Sequence, residues 1–124
     1  MRAVLILDDD PATLALMDAV FDTEGIETRK ATEPNEALEI LKGWTPDVIL
    51  LDIQLHGMDN GLEFARRLKA NVATRALPII AFTAFSERWS EAEVRAAGCD
   101  GFLEKPVTPQ MLAAAVRKAI EKAS

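Results

Sequence analysis

Carboxylates stand at two places in the chain where they could act together on a phosphoryl group. Asp8, Asp9 and Asp10 directly follow the first apolar run, and Asp52 directly follows another. Carboxylate oxygens suit Mg²⁺ or Mn²⁺ better than zinc, and Mg²⁺ in proteins keeps water ligands and accepts phosphoryl oxygens. A carboxylate can also act as a nucleophile. The pattern therefore indicates a metal-assisted phosphoryl-transfer site.

A hydroxyl and an ammonium group complete this set. Thr83 ends a further apolar run, and Lys105 stands before Pro106 after the last one. Two carboxylates about 4 Å apart repel by about 4 kcal/mol at an effective dielectric of about 20, so a divalent cation and a lysine are the expected compensation. These residues supply a nucleophile, a metal site, an ammonium group and a hydroxyl, but no base that would hydrolyse a phosphoryl group quickly. They therefore form only half of a phosphoryl-transfer centre.

Helix capping is the simpler explanation for part of the pattern. Acidic residues between a strand and a helix often only cap the helix, and Asp10 before Pro11 has this arrangement. Thr83 and Lys105, taken singly, are ordinary loop and surface residues. Capping does not explain the required groups at four separate strand ends, so the functional interpretation is favoured.

Short apolar runs alternate with amphipathic helical patterns along the chain. Most runs are too short for helices and too apolar for half-exposed strands, which predicts strands covered on both faces. Gly25, Gly43 and Gly98 are predicted to end helices in a left-handed conformation, and Lys69 is interpreted as part of a solvated basic helix face. The predicted strands are 3–7, 26–31, 48–51, 79–82 and 102–103, and the predicted helices are 11–24, 34–42, 61–70, a segment after Ser90 and 111–120, with Met111 in the apolar stripe of the last.

This alternation predicts an α/β fold with a parallel sheet between two layers of helices. Five strands are too few for an eight-stranded barrel, which leaves an open, doubly wound, flavodoxin-like sheet in the order 2-1-3-4-5. Ligands bind such sheets at the carboxyl ends of the strands, where the strand order reverses. Asp8, Asp9 and Asp52 should converge there.

Composition limits the classes of function. The 124 residues are expected to form one domain, and 49% apolar content excludes a disordered chain. A net charge of −6 argues against nucleic acid or anionic lipid as a direct partner. Cys99 is the only cysteine, and the first apolar run is too short for a signal peptide or a membrane span. We therefore expect a cytoplasmic protein.

The carboxylates, threonine and lysine at the predicted strand ends give the chain a resemblance to the receiver domain of two-component response regulators, the CheY-like superfamily. The resemblance extends over essentially residues 1–124. The family has an acidic pair after the first strand, a phospho-accepting Asp after the third, Thr or Ser after the fourth and Lys-Pro after the fifth. The matching residues here are Asp8-Asp9, Asp52, Thr83 and Lys105-Pro106. A single-domain receiver, or one domain of a longer protein, is expected.

The resemblance implies a role for each matching residue. Asp52 would take a phosphoryl group from a phosphohistidine of a sensor kinase or phosphotransfer protein. Mg²⁺, or Mn²⁺ in its place, would be bound by Asp9 directly, by Asp8 largely through water, by the Asp52 carboxylate and by the backbone carbonyl of Gln54. Lys105 would bind a phosphoryl oxygen. The domain would be regulatory, and not an enzyme beyond its own phosphorylation and dephosphorylation.

The resemblance also implies how the signal leaves the domain. Thr83 would turn its hydroxyl to the phosphoryl group, Phe102 would move inward with it, and the Lys105–Pro106 bond would be cis. The surface around the fourth helix, fifth strand and fifth helix would then change, and a downstream effector protein would recognise it. A phosphorylation-dependent dimer is left open.

One segment departs from the family pattern. The family often has Pro four residues after the acceptor and Asp-Gly at seven and eight; this chain has His56 and then Asp59-Asn60-Gly61, which is one residue longer. The metal-binding carbonyl of Gln54 precedes this change.

Two other functions compete with a phosphorylated receiver. A haloacid-dehalogenase-like phosphatase also has an Asp-x-Asp pattern after an apolar strand, but it requires Thr or Val where Ala12 stands, and its late acidic pair is missing. The second alternative is a receiver-fold interaction module that is never phosphorylated. The complete set of acids, Thr and Lys argues against it.

Overall fold

The computed structural model describes residues 2–53, 60–83, 90–104 and 108–123, and strands and helices alternate through them. The predicted element order is confirmed, with ends that differ by up to three residues, since fraying and capping blur helix ends in a sequence pattern. The elements are β1 Ala3–Leu7, α1 Pro11–Thr23, β2 Glu27–Ala31, α2 Pro34–Gly43, β3 Val48–Asp52, α3 Asn60–Ala70, β4 Ile79–Thr83, α4 Glu91–Ala96, β5 Gly101–Glu104 and α5 Pro109–Ala123.

Within the described residues, the strands form one parallel sheet in the order β2-β1-β3-β4-β5, as predicted. β1 and β3 are neighbours although α1, β2 and α2 separate them in sequence. Their register pairs Leu7 with Leu51. The next residues, Asp8 directly after β1 and Asp52 at the end of β3, therefore lie side by side at the carboxyl edge of the sheet.

Helices cover both faces of the sheet, and alternate strand residues point to opposite faces. In β1, Leu5 and Leu7 pack with α2, α3 and α4, whereas Val4 and Ile6 pack with α1 and α5. All four side chains are fully buried. This two-sided burial explains the continuous apolar runs, because neither face can carry polar residues without a cost.

Most of the predicted helix ends are confirmed. The backbone N–H of Glu93 donates to Ser90 Oγ, and the Ser90 N–H donates to Glu93, which forms a capping box at α4. Gly25 and Gly98 have φ angles of +73° and +113°. The prediction for Gly43 is wrong: it ends α2 without a left-handed φ, because Trp44 leaves the helix in an extended conformation.

Two side-chain expectations are also wrong. Lys69 is only partly solvated: its side chain is 25% exposed, and its Nζ donates to the carbonyl oxygens of Arg75 and Leu77 at 3.1 and 3.0 Å. Met111 belongs to the apolar stripe by spacing, yet it is 48% exposed in the first turn of α5. In both cases the exposure of the side chain depends on how the neighbouring element packs. Helical periodicity alone does not predict that packing. No helix among the described residues has the length and apolar character that a membrane crossing needs.

Candidate functional site

Three carboxylates meet at the carboxyl ends of β1 and β3. Asp8, Asp9 and Asp52 each offer an oxygen, and these oxygens all lie within 4.8 Å of one another. They converge because β1 and β3 are adjacent and parallel, so both chains turn out of the sheet at the same edge. The structure thus brings together the three acids that the sequence predicts to converge.

Two of these acids are buried to an unusual degree. Asp8 is fully buried and Asp52 is 5% exposed, while Asp9 is partly buried. The Asp8 N–H donates to the carbonyl oxygen of Ala31 at 3.1 Å, and its Oδ1 accepts from the Asp10 N–H at 2.9 Å. These bonds fix Asp8 between the ends of β1 and β2.

Asp10 has a different role, although it is adjacent to the cluster. It is exposed and precedes α1, where its carboxylate accepts from the Ala12 N–H at 3.1 Å and from Thr13 Oγ1 at 2.7 Å. The capping interpretation is therefore confirmed for Asp10. It does not extend to Asp8 and Asp9, whose oxygens face Asp52.

The cluster has the charge and donor chemistry of a site for a hard divalent cation. Two carboxylates at this separation repel by roughly 3 kcal/mol at an effective dielectric of about 20, and burial strengthens the repulsion. Every contributed donor is a carboxylate oxygen. Such a donor set fits Mg²⁺ or Mn²⁺, and it does not fit zinc, which favours nitrogen and sulfur ligands.

The backbone that follows Asp52 is held from two sides. The Ile53 N–H donates to the carbonyl oxygen of Phe82 at 3.2 Å, and the Ile53 carbonyl accepts from the Gly61 N–H at 2.9 Å. The sequence pattern places Gly61 at the end of a longer connection and at the start of a predicted helix, and assigns it no contact. Nothing in the local pattern could have shown that it packs on β3, because that contact depends on how α3 lies against the sheet.

Thr83 lies on β4, the neighbour of β3, and Phe102 lies on β5, the next strand of the sheet. Thr83 ends β4, and its backbone pairs in register with Glu104 of β5. Phe102 is opposite Ala81 and is partly buried against the core cluster that contains α3 and α4. Both residues are thus on the side of β3 away from β1.

Three of the predicted site residues, Gln54, Lys105 and Pro106, lie outside the described residues, as does His56. The metal-binding carbonyl, the ammonium group and the cis peptide bond accordingly stay predictions.

Comparison with known proteins places the chain in a family. Residues 4–117 match the family model described as "Response regulator receiver domain". The polar-differentiation response regulator DivK of Brucella ovis is 34% identical over 107 residues, which is 86% of each chain.

Solved structures share the fold over nearly the whole chain. The receiver domain of the Francisella response regulator 1452 is 28% identical, with a TM-score of 0.85 and complete coverage of both chains. The receiver domain of a sensor histidine kinase from Pseudomonas aeruginosa PAO1 is 24% identical, with a TM-score of 0.84 over 97% of this chain and 98% of that one; its structure has a magnesium ion coordinated in the active-site cleft. These likenesses agree with the strand order observed here.

Proposed function

This chain belongs to the response regulator receiver domain family of two-component signalling, and we propose that it is a switch in which Asp52 accepts a phosphoryl group. The proposed role of the chain is regulatory: it would catalyse only its own phosphorylation and dephosphorylation. The observation that carries the proposal is the convergence of Asp8, Asp9 and Asp52 at the reversal point of the sheet. A cluster of three acids, two of them buried, costs stability unless a bound cation offsets its charge.

In the proposed reaction, a carboxylate oxygen of Asp52 attacks the phosphorus of a phosphohistidine. The new O–P bond forms as the N–P bond breaks, and the imidazole nitrogen leaves with the electron pair. Asp9 and Asp52 would bind Mg²⁺ directly, Asp8 through water, and Gln54 through its backbone carbonyl. When bound, Mg²⁺ supplies positive charge that offsets the carboxylates and the incoming phosphoryl group.

The remaining predicted residues would connect phosphorylation to a change in shape. Lys105 would bind a phosphoryl oxygen, and Thr83 would turn its hydroxyl toward the group while Phe102 moves further inward. Only contacts that differ between two arrangements shift their populations, and a shift from 1:99 to 99:1 needs about 5.5 kcal/mol of such difference.

The exposed face of α1 is the surface we assign to the phosphodonor. Ala12, Ala15, Leu16 and Ala19 are all exposed there, with Leu16 53% exposed. The helix begins two residues after Asp9, and any protein that delivers a phosphoryl group to Asp52 must cover this edge. We therefore place a sensor histidine kinase or a histidine phosphotransfer protein on α1, in the cytoplasm.

Substitution of Leu16 should change the rate of phosphoryl transfer from a protein donor and leave the rate from a small-molecule donor unchanged. Autophosphorylated histidine kinases and phosphotransfer proteins are first screened for one that phosphorylates the wild-type chain. Leu16→Asp should then slow transfer from that protein at least about tenfold, since an apolar contact is replaced by a charge. Acetyl phosphate should react with both chains at the same rate. Equal transfer from the protein donor would contradict the placement on α1.

The downstream effector is assigned to a groove beside β5. A cavity of about 660 Å³ lies there; its lining includes the apolar residues Phe102 and Leu103, the basic residues Arg95, Lys118 and Lys122, and one acidic residue, Asp100. Phe102 is the predicted switch residue, so a change at Asp52 would alter this surface. The charge suits an effector with an acidic, partly apolar binding segment.

Incubation with acetyl phosphate and Mg²⁺, followed by intact mass measurement, tests the proposal. We expect the wild-type chain to gain the mass of one phosphoryl group, and we expect no gain with EDTA or in Asp52→Asn. Steady release of phosphate that requires Asp8, with no adduct, would indicate the phosphatase instead. An unmodified chain without phosphate release would indicate the interaction module.

A further inference from the structure

Gly61 packs on the end of β3 so closely that a side chain has no room. A Cβ atom on Gly61 would lie 2.5 Å from the Cα of Ile53, 2.6 Å from the carbonyl oxygen of Asp52 and 2.7 Å from that of Ile53. All three are backbone atoms, which cannot rotate away as the end of a flexible side chain can. The Gly61 N–H also donates to the Ile53 carbonyl at 2.9 Å. The first turn of α3 therefore touches the backbone of the acceptor residue itself.

Neither partner in this contact can move without a cost. Ile53 is fully buried, and its N–H donates to the carbonyl oxygen of Phe82. On the other side, α3 is held in the core by Phe64 and Leu68, which are each 1% exposed. Because interiors are packed at crystal-like density, a shift of either element opens a void or breaks a hydrogen bond. The contact is thus fixed from both sides.

We propose that Gly61 is a positioning residue for phosphoryl acceptance: its missing side chain lets α3 clamp the backbone at residues 52 and 53, which sets where the Asp52 carboxylate lies relative to Asp8 and Asp9. The inference rests on the proposed function of Asp52.

The expected effect of filling this space is large. The three carboxylate oxygens lie within 4.8 Å of one another, so a backbone shift of several tenths of an ångström changes the cation site. A displacement of about 1 Å at a reacting group can cost about a hundredfold in rate. We expect Gly61→Ala to weaken Mg²⁺ binding and to slow phosphorylation by acetyl phosphate, each about tenfold or more.

Two variants serve as matched controls. A Cβ on Gly43 would meet nothing within 4 Å, so Gly43→Ala adds the same methyl group in open space. Val116 is fully buried on the opposite face of the sheet, so Val116→Ala destabilises the fold away from the site. Mg²⁺ affinity is measured by calorimetry, and phosphorylation by intact mass, at a temperature where urea titration shows each variant folded.

The proposal requires that Gly61→Ala lose Mg²⁺ affinity while both control variants bind Mg²⁺ as the wild-type chain does. It is overturned if Gly61→Ala and Val116→Ala bind Mg²⁺ equally well. A wild-type chain that binds Mg²⁺ but is never phosphorylated would instead contradict the proposed function, and the calorimetry would still test the positioning role.

If Gly61→Ala does not fold, amide hydrogen exchange of the wild-type chain gives the answer. Mg²⁺ together with beryllofluoride, a mimic of the phosphoryl group, should slow exchange of the Gly61 amide more than exchange of the amides in α2. Equal effects on both would refute the role of Gly61.

Discussion

At the scale of single residues, neighbouring aspartates with the same chemistry have separate tasks. Asp10 caps α1 and is exposed, whereas Asp8 is fully buried and belongs to the carboxylate cluster with Asp9 and Asp52. The sequence predicted this division, because a cap must directly precede its helix and a site residue must directly follow its strand. Distances between the oxygens could not be predicted, since they depend on the sheet register.

Replacing Asp9 and Asp10 separately with Ala tests this division. Asp9→Ala should weaken Mg²⁺ binding at least about tenfold, because it removes one oxygen ligand and its charge. Asp10→Ala should leave Mg²⁺ affinity unchanged and lower the free energy of unfolding by about 1 kcal/mol through loss of the cap. Calorimetry measures the Mg²⁺ affinity of each variant, and urea unfolding measures its free energy of unfolding. A large loss of Mg²⁺ affinity in Asp10→Ala would contradict the assignment.

Cys99 is expected to be unreactive in the folded chain. It is 4% exposed, and burial, with a smaller contribution from Asp100, raises the pKa of the thiol to about 11. A raised pKa keeps the thiol protonated below pH 11, so at pH 8 only about one thiol in a thousand is the reactive thiolate.

Alkylation by iodoacetamide at pH 8, followed by mass spectrometry, measures this reactivity. The folded chain should react at least about a hundredfold more slowly than the chain in urea, where the pKa returns to its ordinary value. Equal rates in the folded and unfolded chain would show that the thiol is accessible and ionised.

At the scale of elements, sequence periodicity predicted which segments are helices and strands. The contacts that their outward-facing side chains make depend instead on how neighbouring elements pack. The order of elements followed from alternation and strand length. The burial of Lys69 did not, because it depends on the loop after α3 and on the residues before β5. Gly98 shows the same dependence: its φ of +113° suits glycine, and a Cβ there would also collide with Lys69 Cγ.

Lys69 is expected to stabilise the fold at the end of the sheet opposite the carboxylates. Its ammonium group donates to two backbone carbonyls, and it lies 3.5 Å from Asp100, which also accepts from the Ile79 N–H at 2.9 Å. Lys69→Ala should lower the free energy of unfolding by about 1 kcal/mol or more, since it leaves carbonyl groups unsatisfied.

Lys42→Ala is the matched control, because the Lys42 side chain is 72% exposed and, among the described residues, pairs only with Glu39 of its own helix. Its effect on urea unfolding should be within about 0.5 kcal/mol. Equal stability losses in the two variants would rule out the role assigned to Lys69.

At the scale of the whole molecule, the charge distribution follows the arrangement of the sites. The first 60 residues hold 13 acidic and 4 basic side chains, and the remaining 64 hold 7 and 10. The acidic half contributes all three carboxylates of the cation site, and the basic half contributes the cations of the groove beside β5. The chain thus carries a carboxylate cluster at the ends of β1 and β3 and a separate basic surface beside β5.

Much of this organisation could be predicted because the residues with chemical roles directly follow strands, and a parallel sheet brings strand ends to one edge. The contact between Gly61 and Ile53 could not be predicted, because glycine has no side chain and so leaves no chemical pattern in the sequence. The position of the basic groove likewise depends on how α5 lies against β5, and the helical pattern in the sequence does not predict this.

The central claim is that Asp52 is the phosphoryl acceptor, and chemical mapping of the acyl phosphate tests it most directly. The chain is treated with acetyl phosphate and Mg²⁺ and then with borohydride, which reduces an aspartyl phosphate to homoserine, and the peptides are sequenced by mass spectrometry. We predict homoserine at position 52 and at no other aspartate, with none formed in the presence of EDTA. Homoserine at position 8 or 9, or at no position, would contradict the account.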